Sequence, residues 1–320
     1  MPGSLARGRR RARRAGRLGD RILLGLCALA GLVVAVTLVL VIFQLASNGS
    51  QAISRFGLGF LVHEAWKPNF DIEGAASMIY GTVVTSLMAI LLATPLGVAI
   101  GLFLSMIAPP RVRAVVGPLV EMLAAVPSII YGFWGLVVLA PFIDRLEPGL
   151  HSALGFIPLF GAASTTGISV FTAGIVLTVM ILPIISALSR DLFLTVPQDL
   201  KDGAAALGAT PWEVIRGIVL PSTVSGVTAA VVLGLGRALG EAIAVSFVIG
   251  DATSISGSLF KPGATLAELI ADQFAGPVNS LHLAAMFYAG LVLVVIGMLT
   301  SVAARTIAGR FEVRTMGPGV

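Results

Sequence analysis

The sequence predicts an all-α integral membrane protein with six transmembrane helices. Of its 320 residues, 57% are apolar and only 12% are charged, and the mean hydropathy is +0.98. Several apolar runs reach the roughly 20 residues that an α-helix needs to cross a bilayer. A chain of this composition has enough apolar length for a bundle of spans and leaves no room for a separate soluble domain.

Six apolar runs are long enough to be spans, with ends placed to within a few residues. The second and third exceed the length needed to cross, so we expect them to be tilted or to extend beyond the bilayer. Prolines inside the runs are compatible with spans when neighbouring helices cover the freed carbonyl groups. The predicted spans are residues 22–45, 75–107, 114–142, 170–188, 224–249 and 281–307.

The distribution of Lys and Arg predicts that both termini lie in the cytoplasm. Sixteen of the 21 basic residues precede the first span or follow an even-numbered span, and four lie in the opposite loops. Basic residues accumulate on the cytoplasmic side of membrane proteins. The predicted parts are a basic cytoplasmic tail (1–21), a first helix with an outer loop (22–74), a core of five helices (75–307) with a cytoplasmic coupling segment (189–221), and a cytoplasmic tail (308–320).

The first 21 residues carry eight arginines. Such a run is compatible with a nucleic-acid-binding arm, but we interpret it as an anchor on anionic membrane lipid, because an apolar span follows at once. A cleaved signal peptide is a second alternative. We favour a span because the apolar stretch of 24 residues is longer than a usual signal core and lacks a convincing cleavage site. We therefore expect contact with lipid and none with nucleic acid.

The coupling segment contains a polar, helix-rich stretch that begins at Thr195 and ends at Pro221. Thr195 suits the N-cap of a first helix, and Gly208 suits the left-handed position that ends it. Thr210 and Glu213 form a capping-box pattern at the start of a second helix. We expect this second helix to end or kink at Pro221.

The alanine-rich face of this stretch is narrow enough to lie in a partner's groove. We interpret the coupling segment as the part through which an external motor moves the chain. The alternative is an ordinary cytoplasmic loop with helical content. The sequence has three lysines, and none follows a phosphate-cradling glycine run. The chain is therefore not expected to hydrolyse nucleotide itself.

Two charged residues lie inside the fifth predicted span. Arg237 is about ten residues from either end of the run, where a charge costs roughly 2.5–3.5 kcal/mol. Glu241 follows four residues later, on the same face of a helix. One interpretation is a self-neutralised ion pair. We favour the other, in which Arg237 lines a cavity and offers a planar fork of N–H donors to a tetrahedral oxyanion, while Glu241 orients it and weakens anion binding.

Other polar residues give little indication of function. Glu121 lies near the start of the third predicted span, where it either faces a pathway or, as we favour, lies at headgroup level near Arg113. His63, His151 and His282 are isolated in the sequence and are interpreted as surface or interfacial residues. A single cysteine excludes an internal disulfide. No catalytic constellation and no metal site are predicted.

The end of the coupling segment resembles the EAA motif of permease subunits from binding-protein-dependent ABC importers, E-A-A-x-x-x-G, nine residues, then I-x-L-P. Asp202 replaces the glutamate and keeps its charge, and Gly203 replaces an alanine, which weakens a helix by about 1 kcal/mol. The resemblance implies docking onto a separate ATPase. The implied docking residues are Asp202, Gly203, Ala204, Ala205, Leu207, Gly208, Ile218, Leu220 and Pro221.

A narrower resemblance covers nearly the whole chain. The stretches EMLAAVPSIIYGFWGL at 121–136 and LGLGRALGEAIAVSFVIG at 233–250 are similar to the C-type permease subunits of phosphate-specific ABC importers. In that family the arginine and glutamate of the RALGE stretch are associated with phosphate translocation. They match Arg237 and Glu241 here, so the resemblance implies that these two residues line the substrate pathway.

The resemblance also implies a type I ABC importer permease of a bacterial plasma membrane that passes inorganic phosphate inward. The implied partners are two copies of an ATPase, a second homologous permease and an extracytoplasmic phosphate-binding protein. ATP and Mg²⁺ are expected on the ATPase, and no cofactor on this chain. The alternatives are an ABC permease for another oxyanion such as sulfate or molybdate, an ATP-independent anion channel or carrier, and a non-transporting membrane sensor or scaffold.

Overall fold

The computed structural model describes residues 3–161 and 166–315, so the end of the predicted C-terminal tail lies outside the described residues. Nearly all of the regular secondary structure is helical, with one short antiparallel hairpin of strands β1 (Trp66–Lys67) and β2 (Ile72–Glu73). The α-helices are α1 (Gly3–Asn48), α2 (Ser50–Phe56), α3 (Ala76–Leu102), α4 (Pro110–Ala124), α5 (Ser128–Trp134), α6 (Ala140–Leu154), α7 (Val170–Thr195), α8 (Gln198–Ala206), α9 (Pro211–Val214), α10 (Leu220–Leu239), α11 (Ile243–Ser246), α12 (Leu266–Gln273) and α13 (Ser280–Thr315).

The chain divides after Asn48 into two compact units. The first unit is helix α1, which contains one membrane-length apolar stretch and continues toward the N-terminus through the basic residues. The second unit holds the other elements. The described residues contain six membrane-length apolar helices, which confirms the predicted fold class. Their bounds are Arg21–Asn48, Ala76–Ile107, Ser128–Leu154, Val170–Thr195, Pro211–Leu239 and Ser280–Thr306.

The third span lies further along the chain than predicted. The sequence predicts one helix over 114–142, but α4 ends at Ala124 and α5 begins after Pro127, which has an extended backbone. A proline disfavours helical geometry in the residue before it, which explains the break. The span then continues through a π-helical turn, Gly135–Leu139, and ends at Leu154, within the predicted outer loop.

The fifth span also differs from the prediction. It runs from Pro211 to Leu239, whereas the sequence predicts 224–249. A π-helical turn, Ile215–Val219, joins α9 to α10, and the helix passes through Pro221 without ending there. Proline lacks an N–H group and its ring clashes with the carbonyl four residues earlier in an α-helix. The wider turn directly before the proline relieves this clash, and Pro141 follows a π-helical turn in the same way.

Helices α3 and α7 form the centre of the second unit. A Cβ atom on Gly97 would lie 2.8 Å from the side chain of Ile185, and one on Gly101 would lie 3.0 Å from the backbone nitrogen of Arg190. The two glycines therefore allow close approach of the helix backbones, as small residues do in membrane helices. Most of the membrane-length part of α7 is buried, so α7 is the helix that the other spans surround.

Two segments predicted to lie outside the membrane, residues 46–74 and 250–280, pack together at one end of this unit. Trp66 Nε1 donates a hydrogen bond of 3.0 Å to Gln273 Oε1, and His282 Nε2 lies 3.1 Å from the same oxygen. His282 is only 2% exposed, and both of its ring nitrogens have partners. Its assignment as a surface or interfacial residue is therefore wrong. His63 and His151 are exposed, in agreement with that assignment.

The loop after the second predicted span (108–113) and the coupling segment are both predicted to lie in the cytoplasm. They lie close together at another position in the fold. Arg113 Nη2 donates a hydrogen bond of 2.9 Å to the carbonyl oxygen of Ser105. Met106, at the end of the second span, packs into the same apolar cluster as Ala204 of the coupling segment. Within the second unit, these segments therefore group as alternating spans require. The cytoplasmic location of this end and of both termini remains a prediction.

Candidate coupling segment and anion site

Helix α8 of the coupling segment begins at Gln198, after a short break from α7. Thr195 belongs to α7, where its hydroxyl donates a hydrogen bond of 2.7 Å to the carbonyl oxygen of Leu192, so its predicted N-cap role is wrong. Pro197 explains the difference, because the residue before a proline disfavours helical geometry. Within α8, Gln198 Nε2 donates a hydrogen bond of 2.9 Å to Asp202 Oδ1. Asp202 is therefore held on the helix by its own N-terminal turn.

The end of α8 is built around Gly208. Its φ of +89° lies in the left-handed region that favours glycine. The N–H of Gly208 donates to the carbonyl oxygen of Ala205 at 3.0 Å, and the N–H of Ala209 donates to that of Ala204 at 3.1 Å. These two bonds form a Schellman motif, which satisfies carbonyl groups at the end of a helix. The predicted left-handed helix end at Gly208 is confirmed.

The next helix begins with the predicted capping box. Glu213 Oε2 accepts a hydrogen bond of 2.7 Å from the backbone N–H of Thr210, and the Thr210 hydroxyl accepts one of 3.4 Å from the N–H of Glu213. This helix continues directly into the fifth span, whereas the sequence predicts a short, separate helix. Helix α8 is thus joined to α7 through Val196 and Pro197, and α9 continues directly into the fifth span.

One face of the coupling segment is exposed and apolar. Leu207 is 91% exposed and Trp212 is 62% exposed. Cβ atoms added to Gly203 or Gly208 would meet nothing within 4 Å, so the surface beside them is open. An exposed apolar patch with polar residues around it is typical of a protein-interaction site.

The opposite face of α8 and α9 packs against the end of α7. Phe193 and Val196 are buried there with Val214 and Val219 of the fifth span. The partly buried residues packed around this cluster include Ala204, Ala209, Ile218 and Leu220. Because this cluster joins α8, α9 and the end of α7, we expect these three parts to move together.

Arg237 lies in the last turn of α10, close to a break in the fifth apolar run. Helix α10 ends at Leu239, and the chain passes through Gly240 and Glu241 before α11 begins. The prediction of one continuous helix over 224–249, with Arg237 near its centre, is therefore wrong. Residues 240–242 form an irregular connection between a long helix and a short one.

Glu241 lies outside helix α10, so the predicted position of Arg237 and Glu241 on one helical face is also wrong. Both residues are described in the structure, and no ion pair within 4.0 Å joins their side chains. Glu241 Oε1 instead accepts a hydrogen bond of 3.2 Å from the N–H of Ala244. The Arg237 side chain is exposed on this chain. Its fork of N–H donors is therefore not occupied by Glu241.

The short helices that follow the two breaks, α5 after α4 and α11 after α10, lie against each other. A Cβ atom on Gly132 of α5 would lie 2.8 Å from Cα of Ala244 in α11. Beside Gly132, the buried Tyr131 donates a hydrogen bond of 2.7 Å to the carbonyl oxygen of Leu123, across the break between α4 and α5. Irregular backbone at membrane depth is tolerated where it is buried in protein or lines a cavity, and broken helices form substrate sites in transporters.

An ion pair between Arg190 and Glu121 was not predicted from the sequence. Arg190 Nη2 lies 2.8 Å from Glu121 Oε1, with 17% and 51% of the two side chains exposed. The prediction that Glu121 lies near Arg113 is not supported, since Arg113 contacts the end of the second span instead. The pair joins α7 to α4 across a long sequence separation, so no helical spacing reveals it. A Cβ atom on Gly117 would lie 3.0 Å from Arg190 Nη1. A glycine at this position of α4 is therefore the sequence feature that relates most directly to the ion pair.

A comparison with protein families assigns this arrangement to a known class. Residues 93–313 match the family described as "Binding-protein-dependent transport system inner membrane component". The chain belongs to this family. The matched residues include the whole coupling segment, Arg237 and Glu241. The predicted membership of the binding-protein-dependent permease family is therefore confirmed.

Curated relatives of this permease align over nearly its whole length. The "Phosphate transport system permease protein PstC" of Mesorhizobium japonicum is 44% identical over 303 residues, which cover 93% of this chain and 92% of the relative. The protein of the same name from Xylella fastidiosa is 44% identical over 276 residues and 85% of each chain. PstC 2 of Mycobacterium tuberculosis is 38% identical over 303 residues, 92% of this chain and 94% of the relative. Within the permease family, the chain therefore belongs to the PstC-type proteins.

Solved ABC importers share the permease fold. A structure of a bacterial alginate ABC transporter in complex with its alginate-bound periplasmic protein matches with a TM-score of 0.60 at 17% identity, covering 92% of this chain and 98% of that chain. The inward-facing MetNI methionine transporter matches with a TM-score of 0.53 at 19% identity, covering 72% and 93%. The likeness shows the type I ABC importer permease architecture. With its six apolar helices, this permease is a multi-pass protein of the plasma membrane.

Proposed function

We propose that this chain is the permease subunit of an ABC importer for inorganic phosphate. The observation that carries the proposal is the 44% identity, over 93% of the chain, to a protein named as a phosphate transport permease. The geometry of the described residues agrees with it, because the Arg237 guanidinium makes no ion pair with Glu241 and lies close to a helix break. Phosphate would pass inward between this chain and a second, homologous permease of the PstA type.

In this proposal, Arg237 contacts the phosphate during its passage. The guanidinium presents a planar fork of donors that matches two oxygens of a tetrahedral oxyanion. Glu241 holds the turn after α10 through its hydrogen bond to Ala244, and its negative charge beside the path keeps the anion from binding too tightly. The irregular backbone at both helix breaks would shape the path, as in other transporters.

The coupling segment would dock into a cleft of a separate ATPase. The exposed face with Leu207 and Trp212 provides the apolar contact, and the rigid packing on α7 transmits the movement. ATP and Mg²⁺ would be bound by the ATPase, because this chain has three lysines and none follows a phosphate-cradling glycine run. The docking residues in this proposal are Asp202, Gly203, Ala204, Ala205, Leu207, Gly208, Ile218, Leu220 and Pro221.

The complete importer would contain both permeases, two copies of the ATPase and an extracytoplasmic phosphate-binding protein. We propose to reconstitute it in lipid vesicles and measure ATP-driven uptake of radiolabelled phosphate, with sulfate and molybdate as competitors. Uptake that needs ATP and resists both competitors supports the proposal. Uptake of sulfate or molybdate in its place would assign the permease to another oxyanion, and uptake without ATP would indicate a channel or carrier.

The role of Arg237 is tested by a substitution that keeps its charge. Arg237→Lys loses the fork, and because hydrogen bonds between charged groups contribute about 1.5–3 kcal/mol each, phosphate uptake should fall by about tenfold or more. The matched control is Arg145→Lys, which alters another exposed arginine on a different span. A double substitution, Arg237→Leu with Glu241→Leu, separates the roles. If that variant assembles and still transports phosphate, the two residues are not the site.

A further inference from the structure

The residues of the ion pair between Arg190 and Glu121 are not among those proposed to contact phosphate or the ATPase. Arg190 Nη2 lies 2.8 Å from Glu121 Oε1 on α4 and 2.8 Å from Asp191 Oδ1 on its own helix. The first contact spans two helices, and the second does not. Gly117, one turn before Glu121, has no side chain that would keep the guanidinium away from α4. Two successive turns of α4 therefore accommodate the Arg190 guanidinium, one through the missing side chain of Gly117 and the other through the carboxylate of Glu121.

Arg190 lies in the part of the coupling segment that belongs to α7, and it is linked closely to α8. It lies five residues before the end of α7, and the side chains that follow it, Phe193 and Val196, are buried in the cluster with Val214 and Val219. Two residues, Val196 and Pro197, separate α7 from α8. A displacement of α8 would therefore carry Arg190 with it.

Glu121 is close to the break between α4 and α5. Helix α4 ends three residues after it, and Tyr131 bonds the Leu123 carbonyl across the break. Beyond the break, Gly132 touches Ala244, whose N–H is bonded to Glu241. The link from Arg190 thus passes through the Glu121 ion pair, the backbone of α4 and α5, and the contacts of Ala244. It ends at Glu241, in the turn after α10 that follows Arg237.

We propose that the Arg190–Glu121 ion pair couples the coupling segment to this turn and sets its position according to the state of the ATPase. The inference rests on the proposed function, since it takes that turn as the anion site. Both residues are positioning residues and neither contacts the anion. Half of the Glu121 side chain is exposed, so the pair is weak and can break and re-form. A contact that must differ between two transport states requires this property, whereas a fully buried pair is strongly destabilising to break.

The test uses the complete importer in lipid vesicles and two measurements. The first is the number of ATP molecules hydrolysed per phosphate taken up, and the second is the stimulation of ATP hydrolysis by the phosphate-loaded binding protein. Glu121→Gln should raise the ATP-to-phosphate ratio by about two- to fivefold, the range expected from losing a partly exposed pair. Arg190→Gln should add nothing further in the Glu121→Gln background, because residues that act only through each other are not additive.

The matched control is Asp191→Asn. It weakens a contact of the same length to the same guanidinium but leaves the link to α4 in place, so the ratio should stay unchanged. An equal effect of Asp191→Asn, or an equal fall of uptake and ATP hydrolysis in Glu121→Gln, would show a merely structural pair and overturn the inference. An unsubstituted importer that takes up no phosphate would instead refute the proposed function. In that case, the number of ATP molecules hydrolysed per molecule of the oxyanion that is taken up would still report on the ion pair.

Discussion

Gly203 and Gly208 allow a matched test of the backbone conformation of the coupling segment. Gly203 lies inside α8 and Gly208 lies after its end. A Cβ atom at either position would meet nothing within 4 Å, so an alanine substitution adds the same methyl group to open space at both sites. The positions differ in backbone conformation, since Gly208 has a φ of +89° and Gly203 is helical.

This difference predicts stability changes of opposite sign. Gly203→Ala should stabilise α8 by about 0.8–1.0 kcal/mol, because alanine loses less backbone entropy in a helix and adds no clash. Gly208→Ala should destabilise the helix end by about 1–2 kcal/mol, because an L-residue pays that much in the left-handed region. Neither change alters the exposed side chains, so the comparison isolates the backbone.

Amide hydrogen exchange measures the effect locally. The N–H groups of residues 208 and 209 close the Schellman motif with bonds of 3.0 and 3.1 Å, so their exchange reports the opening of this turn. After correction for intrinsic rates, Gly208→Ala should accelerate their exchange about 5- to 30-fold, and Gly203→Ala should slow it about four- to fivefold. Unchanged exchange in Gly208→Ala, or a similar acceleration in both variants, would refute the backbone argument.

Three further predictions concern topology, pH and packing. In a cysteine-free background, a cysteine at Gln198 should be labelled only from the cytoplasm and one at Ser258 only from outside; labelling of both from one side would contradict the six-span topology. Burial raises the pKa of Glu73 and of Glu268 to about 7. The buried carboxyl groups are neutral at low pH, so their contribution to stability is present below about pH 4.5 and lost as pH rises through 7. Glutamine at either position should therefore raise the midpoint of thermal unfolding by a few degrees at pH 8 and change it little at pH 4.5. Gly81→Ala should lower the free energy of unfolding by about 1–3 kcal/mol or more, because the added Cβ would overlap the backbone carbonyl of Ala264. An unchanged free energy of unfolding, measured by chemical denaturation, would contradict this contact.

The number of spans, the C-terminal end of α8 and the start of α9 were predictable because their signals are local. A membrane helix needs a long apolar run, and six such runs stand out in the sequence whatever packs around them. The left-handed end at Gly208 and the capping box of Thr210 and Glu213 depend on residues within four positions of one another. No distant contact is needed to specify either feature.

The sequence by itself thus determined the membrane bundle, its family and the shape of the segment proposed to meet the ATPase. The tertiary structure decided where the third and fifth spans end, that Glu241 leaves the helix of Arg237, and that Arg190 meets Glu121. The apolar run after Gly240 continues to Ile249, but Val245, Val248 and Ile249 are buried against other helices. Lipid and protein interior select the same apolar residues, so hydropathy alone cannot tell a continuous span from a break packed inside the bundle.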